Sequence, residues 1–170
     1  MKKYLFLDID GVLNHEEWFE KRVYDIKNKQ RWEQECFDPL CVERVNRILN
    51  STGASLVVSS SWRNNPNLKY IFNIVGLPIE FDVTPNFVNI DDDINYWPSR
   101  GQEIDKFIES HECDNYVILD DDIDFTEDQI KNHFVHCCPT YVQSIKEDNS
   151  WNTGLTEEKA QLAIKILNNE

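Results

Sequence analysis

Four short apolar runs, separated by helix signals, constrain the fold of this chain more than any other feature. They are residues 4–7 (Tyr-Leu-Phe-Leu), 56–58, 116–119 and the weaker 134–135. Apolar runs of this length are typical of strands buried on both faces, as in a parallel sheet. Alternation of such strands with helices predicts an α/β domain with a mostly parallel central sheet, flanking helices and right-handed crossovers.

Helix start and stop signals fill the intervals between these runs. Asp38 and Pro39 form an N-cap followed by proline at the first helical position, and Gly53 lies beyond the end of the helix predicted over residues 40–49. A capping box at residues 126–129 predicts a short helix. Further helices are predicted at residues 65–75, 101–110 and 156–167.

The length of 170 residues fits one domain spanning residues 1–170. Two stretches, at about residues 15–35 and 81–99, lie outside the regular alternation. In doubly wound sheets the loops at the carboxyl ends of the strands form the ligand crevice. We therefore expect both insertions to lie over such a crevice.

The charge balance limits the possible partners. Seventeen Lys and Arg against 31 Asp and Glu give a net charge of −14, which opposes capture of long nucleic acid or of an anionic membrane. No apolar run approaches the length of a membrane span, and a charge appears too early for a signal peptide. We expect a cytoplasmic protein with reduced cysteines and no extended nucleic-acid-binding surface. A phosphate-bearing partner would be bound at one local site, by a metal, backbone amides or a few cations.

Carboxylates follow two of the apolar runs directly. Asp8 and Asp10 leave the first strand and enter a turn at Gly11, and the run 116–119 ends in Asp120 and Asp121. Two carboxylates spaced in this way can converge on one cation and leave one oxygen free to attack. If the two strands are neighbours, their charges need neutralisation. Hard oxygen ligands without clustered His or Cys indicate Mg²⁺.

These residues resemble the motifs of the haloacid dehalogenase (HAD) superfamily of phosphohydrolases, in the same order. Residues 8–13 (Asp-Ile-Asp-Gly-Val-Leu) resemble motif I, and residues 56–62, a strand ending in serines, resemble motif II. Arg100 resembles the basic residue of motif III, which is usually Lys, and residues 118–121 resemble motif IV. More narrowly, residues 60–63, 100–104, 119–122 and 154–156 resemble small HAD domains associated with RNA-repair proteins.

The resemblance implies a Rossmann-like HAD fold without a large cap domain, and it assigns roles to the motif residues. Asp8 would be the nucleophile that forms an aspartyl-phosphate, and Asp10 would be the general acid and base. Arg100 would act in catalysis and contact the phosphoryl oxygens. The implied phosphate-binding residues are Ser60, Ser61 and Arg100, and the implied metal ligands are Asp8, Asp10 through its backbone carbonyl, Asp120 and Asp121. Arg63 directly follows the motif II turn and is a further candidate for a phosphate contact, the alternative being a surface arginine that pairs with a local acid.

The implied activity is Mg²⁺-dependent hydrolysis of a phosphomonoester, on a nucleotide or a terminal phosphate of a nucleic acid. A small-metabolite phosphatase and a non-catalytic Mg²⁺-binding domain are the alternatives. Ser59 and Ser60 compete for the motif II role. Surface or packing roles compete with functional ones for Asp122, Asp124, residues 91–93, His15, Trp18, Trp32, Tyr96, Trp97 and the basic residues between 21 and 31.

Overall fold

A parallel five-stranded sheet forms the centre of the molecule. The computed structural model describes residues 1–21, 36–86, 99–137 and 153–170. The order of the strands across the sheet is β3-β2-β1-β4-β5, and every neighbouring pair is parallel. The predicted Rossmann-like α/β fold is thus confirmed. The strands are β1 (Lys3–Leu7), β2 (Ser55–Val58), β3 (Asp82–Val83), β4 (Asn115–Asp120) and β5 (Phe134–His136).

Helices connect the strands, and the predicted caps start several of them. Asp38 accepts a hydrogen bond from the backbone N–H of Leu40 at 2.9 Å, and Thr126 forms the predicted capping box. Another capping box, at Ser99, starts the helix that carries Arg100. The helices are α1 (Glu16–Lys21), α2 (Pro39–Thr52), α3 (Leu68–Val75), α4 (Arg100–Ser110), α5 (Glu127–Asn132) and α6 (Glu157–Asn168), with a 3₁₀ helix at Ser61–Asn64.

Two elements differ from the sequence-based expectation. The helix expected from residue 65 begins at Leu68, because the Asn65 side chain accepts the backbone N–H of Asn67 at 2.9 Å and forms a turn instead. The edge strand β3 has only two residues, both exposed, and so left no apolar run in the sequence. Most of both predicted insertions, residues 22–35 and 87–98, lies outside the described residues.

Helices cover both faces of the sheet, as a parallel sheet requires. On one face, Leu5 and Leu7 of β1 belong to a core cluster with apolar residues of α2, α3 and α6. On the other face, Tyr4 and Phe6 cluster with residues of α4. β1 is therefore the central strand of the sheet, and helices pack on both of its faces. The described part contains four free cysteines, Cys36, Cys41, Cys113 and Cys137. None of the helices described there is long and apolar enough to cross a membrane.

The strand order brings three strand ends to one edge of the sheet. Leu7 at the end of β1 is in register with Val58 of β2 on one side and Leu119 of β4 on the other. The ladder continues one residue further, since the N–H of Asp8 donates to the Leu119 carbonyl at 2.9 Å. Residues that follow these three strands therefore converge, and they are the residues singled out by the sequence.

Candidate active site

Asp8 lies at the centre of this edge and is buried, with 4% of its surface exposed. Its carboxylate accepts hydrogen bonds from the Ser60 hydroxyl and the Ile9 backbone N–H, and it pairs with Arg100. Burial raises the pKa of Asp8, and the Arg100 charge and the hydrogen bonds oppose this rise. The Arg100 charge and these hydrogen bonds thus favour the ionised form of the carboxylate.

Arg100 joins two strand ends through one nitrogen. Its Nη1 lies 2.7 Å from Asp8 Oδ1 and 2.7 Å from Asp120 Oδ2. The start of α4 sets the position of this side chain, because Arg100 is the first residue of the helix. Its backbone N–H donates to Asp124 Oδ2 at 3.1 Å. Although burial lowers it, the pKa of the guanidinium is raised by Asp120 and Asp8. Arg100 therefore stays a cation at the junction of β1 and β4.

Asp120, the last residue of β4, and Asp121, which follows it, lie beside Asp8. Asp120 is fully buried, and its Oδ1 accepts the backbone N–H of Asp122 at 2.9 Å. Burial and the charge of Asp8 raise the pKa of Asp120 to about 8, against the opposing effect of Arg100. Burial, followed by the charge of Asp8, also raises the pKa of Asp121. The site thus brings together carboxylates that are shielded from water, Asp120 completely and Asp121 in part.

Gly11 allows Asp121 to approach the turn after β1. The φ angle of Gly11 is 73°, and a Cβ atom built there would overlap the Asp121 carboxylate. The glycine of the first motif is thus required both by the left-handed backbone and by the lack of space. This close approach packs the loop after β4 against the loop after β1.

Three carboxylates of the site fit a divalent cation. One oxygen each from Asp8, Asp120 and Asp121 lies within 4.8 Å of the other two. These hard donors suit Mg²⁺, which prefers carboxylates and water over nitrogen or sulfur ligands. With Arg100 as their one paired cation in the described part, the three carboxylates keep an excess of negative charge.

The Asp10 side chain is separate from this cluster. It is exposed, and its Oδ1 accepts the Asn14 side-chain N–H at 2.6 Å while Oδ2 accepts the indole N–H of Trp62 at 2.9 Å. Its carboxylate therefore lies toward the turn after β2. Neither contact of Asp10 was predicted from the sequence, because nothing there shows that Trp62, 52 residues away, or the Asn14 side chain reaches this carboxylate.

The structure distinguishes the predicted serines by their contacts. Ser60 is buried, donates to Asp8 and accepts the backbone N–H of Trp62 at 3.4 Å. Ser59 is also buried, but its hydroxyl has no hydrogen-bond partner within the part of the chain that the structure describes. Ser61 is exposed at the start of the 3₁₀ helix. Ser60 is thus the serine in contact with the carboxylate cluster.

Arg63 contacts other protein groups through all three of its nitrogens. Nε donates to Asn86 Oδ1 at 2.6 Å, Nη1 to Thr84 Oγ1 at 3.0 Å and Nη2 to Glu103 Oε1 at 2.7 Å. The side chains of Arg63 and Glu103 are 10% and 11% exposed. This network links the turn after β2 to α4, one helical turn from Arg100. It does not include the carboxylate cluster.

The remaining candidate residues have local partners or lie elsewhere. Asp122 accepts the backbone N–H of Ile123, and Asp124 accepts that of Arg100. His15 Nε2 donates to Asp38 at 2.9 Å and Nδ1 accepts the Trp18 N–H at 3.3 Å, so both ring nitrogens are engaged. Trp32, residues 91–93, Tyr96, Trp97 and the basic residues from 22 to 31 lie outside the described residues.

Comparison with known proteins gives one family. Residues 4–143 match the model of the HAD domain in Swiss Army Knife RNA repair proteins. The matched segment contains all the residues of the carboxylate cluster and the turn after β2. No curated protein and no solved structure shows significant similarity to the chain.

Proposed function

Since the chain belongs to the family of HAD domains found in Swiss Army Knife RNA repair proteins, we propose that it is a Mg²⁺-dependent phosphomonoester hydrolase that acts through an aspartyl-phosphate. Family membership supports phosphatase-type hydrolysis in general. The more specific proposal is carried by the cluster of Asp8, Asp120 and Asp121 around Arg100. A buried carboxylate at the centre of such a cluster is suited to attack phosphorus once its charge is balanced.

Asp8 is the proposed nucleophile. One of its oxygens forms a bond to phosphorus as the bond from phosphorus to the leaving oxygen breaks, which gives the aspartyl-phosphate. Arg100 and the Ser60 hydroxyl already contact the Asp8 carboxylate, so they lie within reach of oxygens on a phosphoryl group bound there. Their N–H and O–H donors would stabilise the charge on those oxygens.

Asp10 is the proposed general acid and base. Its exposed carboxylate lies on the same loop, two residues after the nucleophile. In the first step it would give a proton to the leaving oxygen. In the second it would take a proton from the water that attacks phosphorus, and the bond from phosphorus to Asp8 would break to release inorganic phosphate.

Asp8, Asp120, Asp121 and the backbone carbonyl of Asp10 are the proposed Mg²⁺ ligands. Bound Mg²⁺ would offset their charge and that of the phosphoryl group. The charge balance supports this proposal, because three carboxylates and a phosphate facing one arginine would repel each other strongly.

The proposed substrate is a nucleotide or a terminal phosphate of a nucleic acid. The domain's family occurs in RNA repair proteins, which supports this class over small metabolites. The net charge of −14 opposes binding along a polynucleotide backbone. Recognition would therefore be confined to the phosphorylated end.

Mg²⁺-dependent release of phosphate from p-nitrophenyl phosphate tests the activity. We expect turnover that stops in EDTA and in Asp8→Asn but persists in Asp82→Asn, which removes an exposed carboxylate of β3. Inactive wild type that still binds Mg²⁺ would contradict the proposal and favour a non-catalytic domain. Asp8→Asn keeps the shape of the side chain, so its loss of activity would not come from a cavity.

A substrate panel tests the class of substrate. It contains oligonucleotides with 3′- or 5′-phosphates, mononucleotides and sugar phosphates, all assayed with wild type. We expect the highest kcat/KM for an oligonucleotide or nucleotide phosphate. Preference for a sugar phosphate would contradict the substrate and favour a small-metabolite phosphatase, while leaving the proposed chemistry intact.

A further inference from the structure

Two side chains from different parts of the fold hold the carboxylate of Asp10. Asn14, four residues along the chain, donates to Oδ1 at 2.6 Å, and Trp62 donates to Oδ2 at 2.9 Å. Asn14 is itself fixed, since its Oδ1 accepts the backbone N–H of Gly11 at 3.1 Å. An exposed aspartate would otherwise exchange between rotamers. With one donor on each oxygen, the plane of this carboxylate is defined.

Trp62 is well placed to define that plane, because its own position is fixed by the fold. Its ring packs against the buried Phe37, with centroids 5.5 Å apart and planes tilted by 58°. Its backbone N–H donates to Ser60 Oγ at 3.4 Å, and its carbonyl accepts the N–H of Asn65 at 2.8 Å. One residue therefore contacts both Ser60 and Asp10.

We propose that Trp62 is a positioning residue that holds Asp10, through the indole N–H, in the orientation for proton transfer to the leaving oxygen. The inference rests on the proposed function, in which Asp10 is the general acid. Proton transfer requires hydrogen-bond distance between the acid and the leaving oxygen. A carboxylate oxygen has two acceptor positions, so the contact with Trp62 leaves room for a proton on Asp10.

The position of the contact also favours a role in catalysis over one in stability alone. Asp10 is exposed and Trp62 is half-buried, so the hydrogen bond lies at the open side of the site. A leaving group protonated by Asp10 must lie on that same side. The indole thus reaches a carboxylate that lies outside the proposed metal-binding cluster.

Trp62→Phe tests the inference, because it removes the indole N–H and keeps an aromatic ring against Phe37. The substrates are phenyl phosphate, whose leaving oxygen needs a proton, and 2,4-dinitrophenyl phosphate, whose leaving group departs readily as an anion. We expect kcat/KM, which reports the step that forms the aspartyl-phosphate, to fall about tenfold or more for phenyl phosphate and by less than about threefold for the dinitrophenyl ester. An equal loss on both substrates, or no loss on either, would overturn the inference.

Two further variants separate positioning from general damage. Tyr70→Phe, which changes an exposed aromatic residue of α3, should leave kcat/KM for both substrates unchanged. In an Asp10→Asn background, Trp62→Phe should cause no further loss on phenyl phosphate, because the acid that it positions is gone. Losses that multiply in the double variant would contradict the inference.

A direct measurement of the contact does not depend on turnover or on the folding of Trp62→Phe. The chain has five tryptophans, and their indole ¹⁵N–¹H signals can be recorded in wild type and in Asp10→Ala. We expect one signal to move upfield when its acceptor is removed. If no indole signal moves, the contact is absent and the inference fails.

The two proposals fail in different ways. Wild type without Mg²⁺-dependent turnover would contradict the proposed function and, with it, the catalytic role of Trp62. Active wild type with the same leaving-group dependence as Trp62→Phe would overturn the role of Trp62 alone.

Discussion

Arg100 and Arg63 both pair with carboxylates, but the groups around them differ in net charge. Arg100 contacts two carboxylates, Asp8 and Asp120, through a single nitrogen. Arg63 contacts one carboxylate, Glu103, and directs its other two nitrogens to neutral oxygens. The first group, with Asp121 beside it, has an excess of negative charge, whereas the second is neutral.

The difference indicates which arginine has a role beyond the fold. Arg63 and Glu103 are nearly buried and satisfy each other, so they need no ligand. Arg100 is 27% exposed and lies among carboxylates whose pKa values are raised by burial. Excess charge that only a bound ion or substrate can balance is typical of a functional site.

Replacement of Arg100 should have the largest effect on activity. We expect Arg100→Ala to lower kcat by about 100- to 1000-fold, because it removes the proposed donor to the phosphoryl oxygens in a site of low dielectric constant. Arg100→Lys should recover part of the loss, since it restores the charge but not the forked geometry. Steady-state hydrolysis of p-nitrophenyl phosphate measures both variants.

Arg63 is the matched control for that experiment. Arg63→Lys keeps the cation near Glu103, and we expect its kcat to stay within about threefold of wild type, on the scale of surface and conservative changes. A loss as large as that of Arg100→Ala would show that Arg63 contacts substrate, as the sequence predicts, and that the contrast between the two arginines is wrong.

Removal of Arg63 should mainly affect stability. Arg63→Met leaves the Glu103 carboxylate buried without its partner, and we expect the free energy of unfolding to fall by about 3 kcal/mol. Urea unfolding measures it. The double variant Arg63→Met with Glu103→Leu should cost less than the sum of the single changes, because no charge stays unpaired. Additive losses would contradict a coupled ion pair.

Neutralisation of Asp121 should have a smaller effect of opposite sign. In EDTA we expect Asp121→Asn to stabilise the protein by up to about 1 kcal/mol, because it relieves repulsion by Asp8 that solvent partly screens. Mg²⁺ at about ten times its Kd should add about 1.4 kcal/mol to wild type and less to the variant. Thermal unfolding with and without Mg²⁺ measures this. Equal Mg²⁺ stabilisation of both proteins would exclude Asp121 as a ligand, and Asp82→Asn is the control.

The convergence of Asp8, Asp120 and Arg100 could be predicted from the sequence, because it depends on where strands and helices end or begin. Asp8 and Asp120 follow buried strands, so their meeting follows from the rule that parallel strands end at one edge. The helix start at Arg100 was predicted to within a residue, which places its side chain near that edge. Local patterns were sufficient because each residue is adjacent to an element with a strong signal.

The contacts between loops could not be predicted in this way. Arg63 follows motif II and Arg100 is the basic residue of motif III, so both are candidates from the sequence. Nothing in the sequence shows that Arg63 donates a hydrogen bond to Glu103, 40 residues away. The same holds for the indole of Trp62 and Asp10. The contacts of Arg63 depend on the packing of α4 and of the residues that follow β3, and β3 is too short and exposed to leave a pattern of its own.

The raised pKa of Asp120 predicts that Mg²⁺ binding depends on pH. The pKa of Asp120 is raised to about 8, whereas its ordinary value is 3.8. Between these values the folded, metal-free protein binds more protons than the unfolded chain, so its stability falls as pH rises through this window.

Mg²⁺ requires the carboxylate form, so its uptake below pH 8 must release protons. Titration calorimetry should show affinity rising from pH 6 to pH 8, by less than about tenfold per pH unit. Equal affinity at both pH values would mean that Arg100 already keeps Asp120 ionised, and the excess of charge that separates the two arginines would then be larger still.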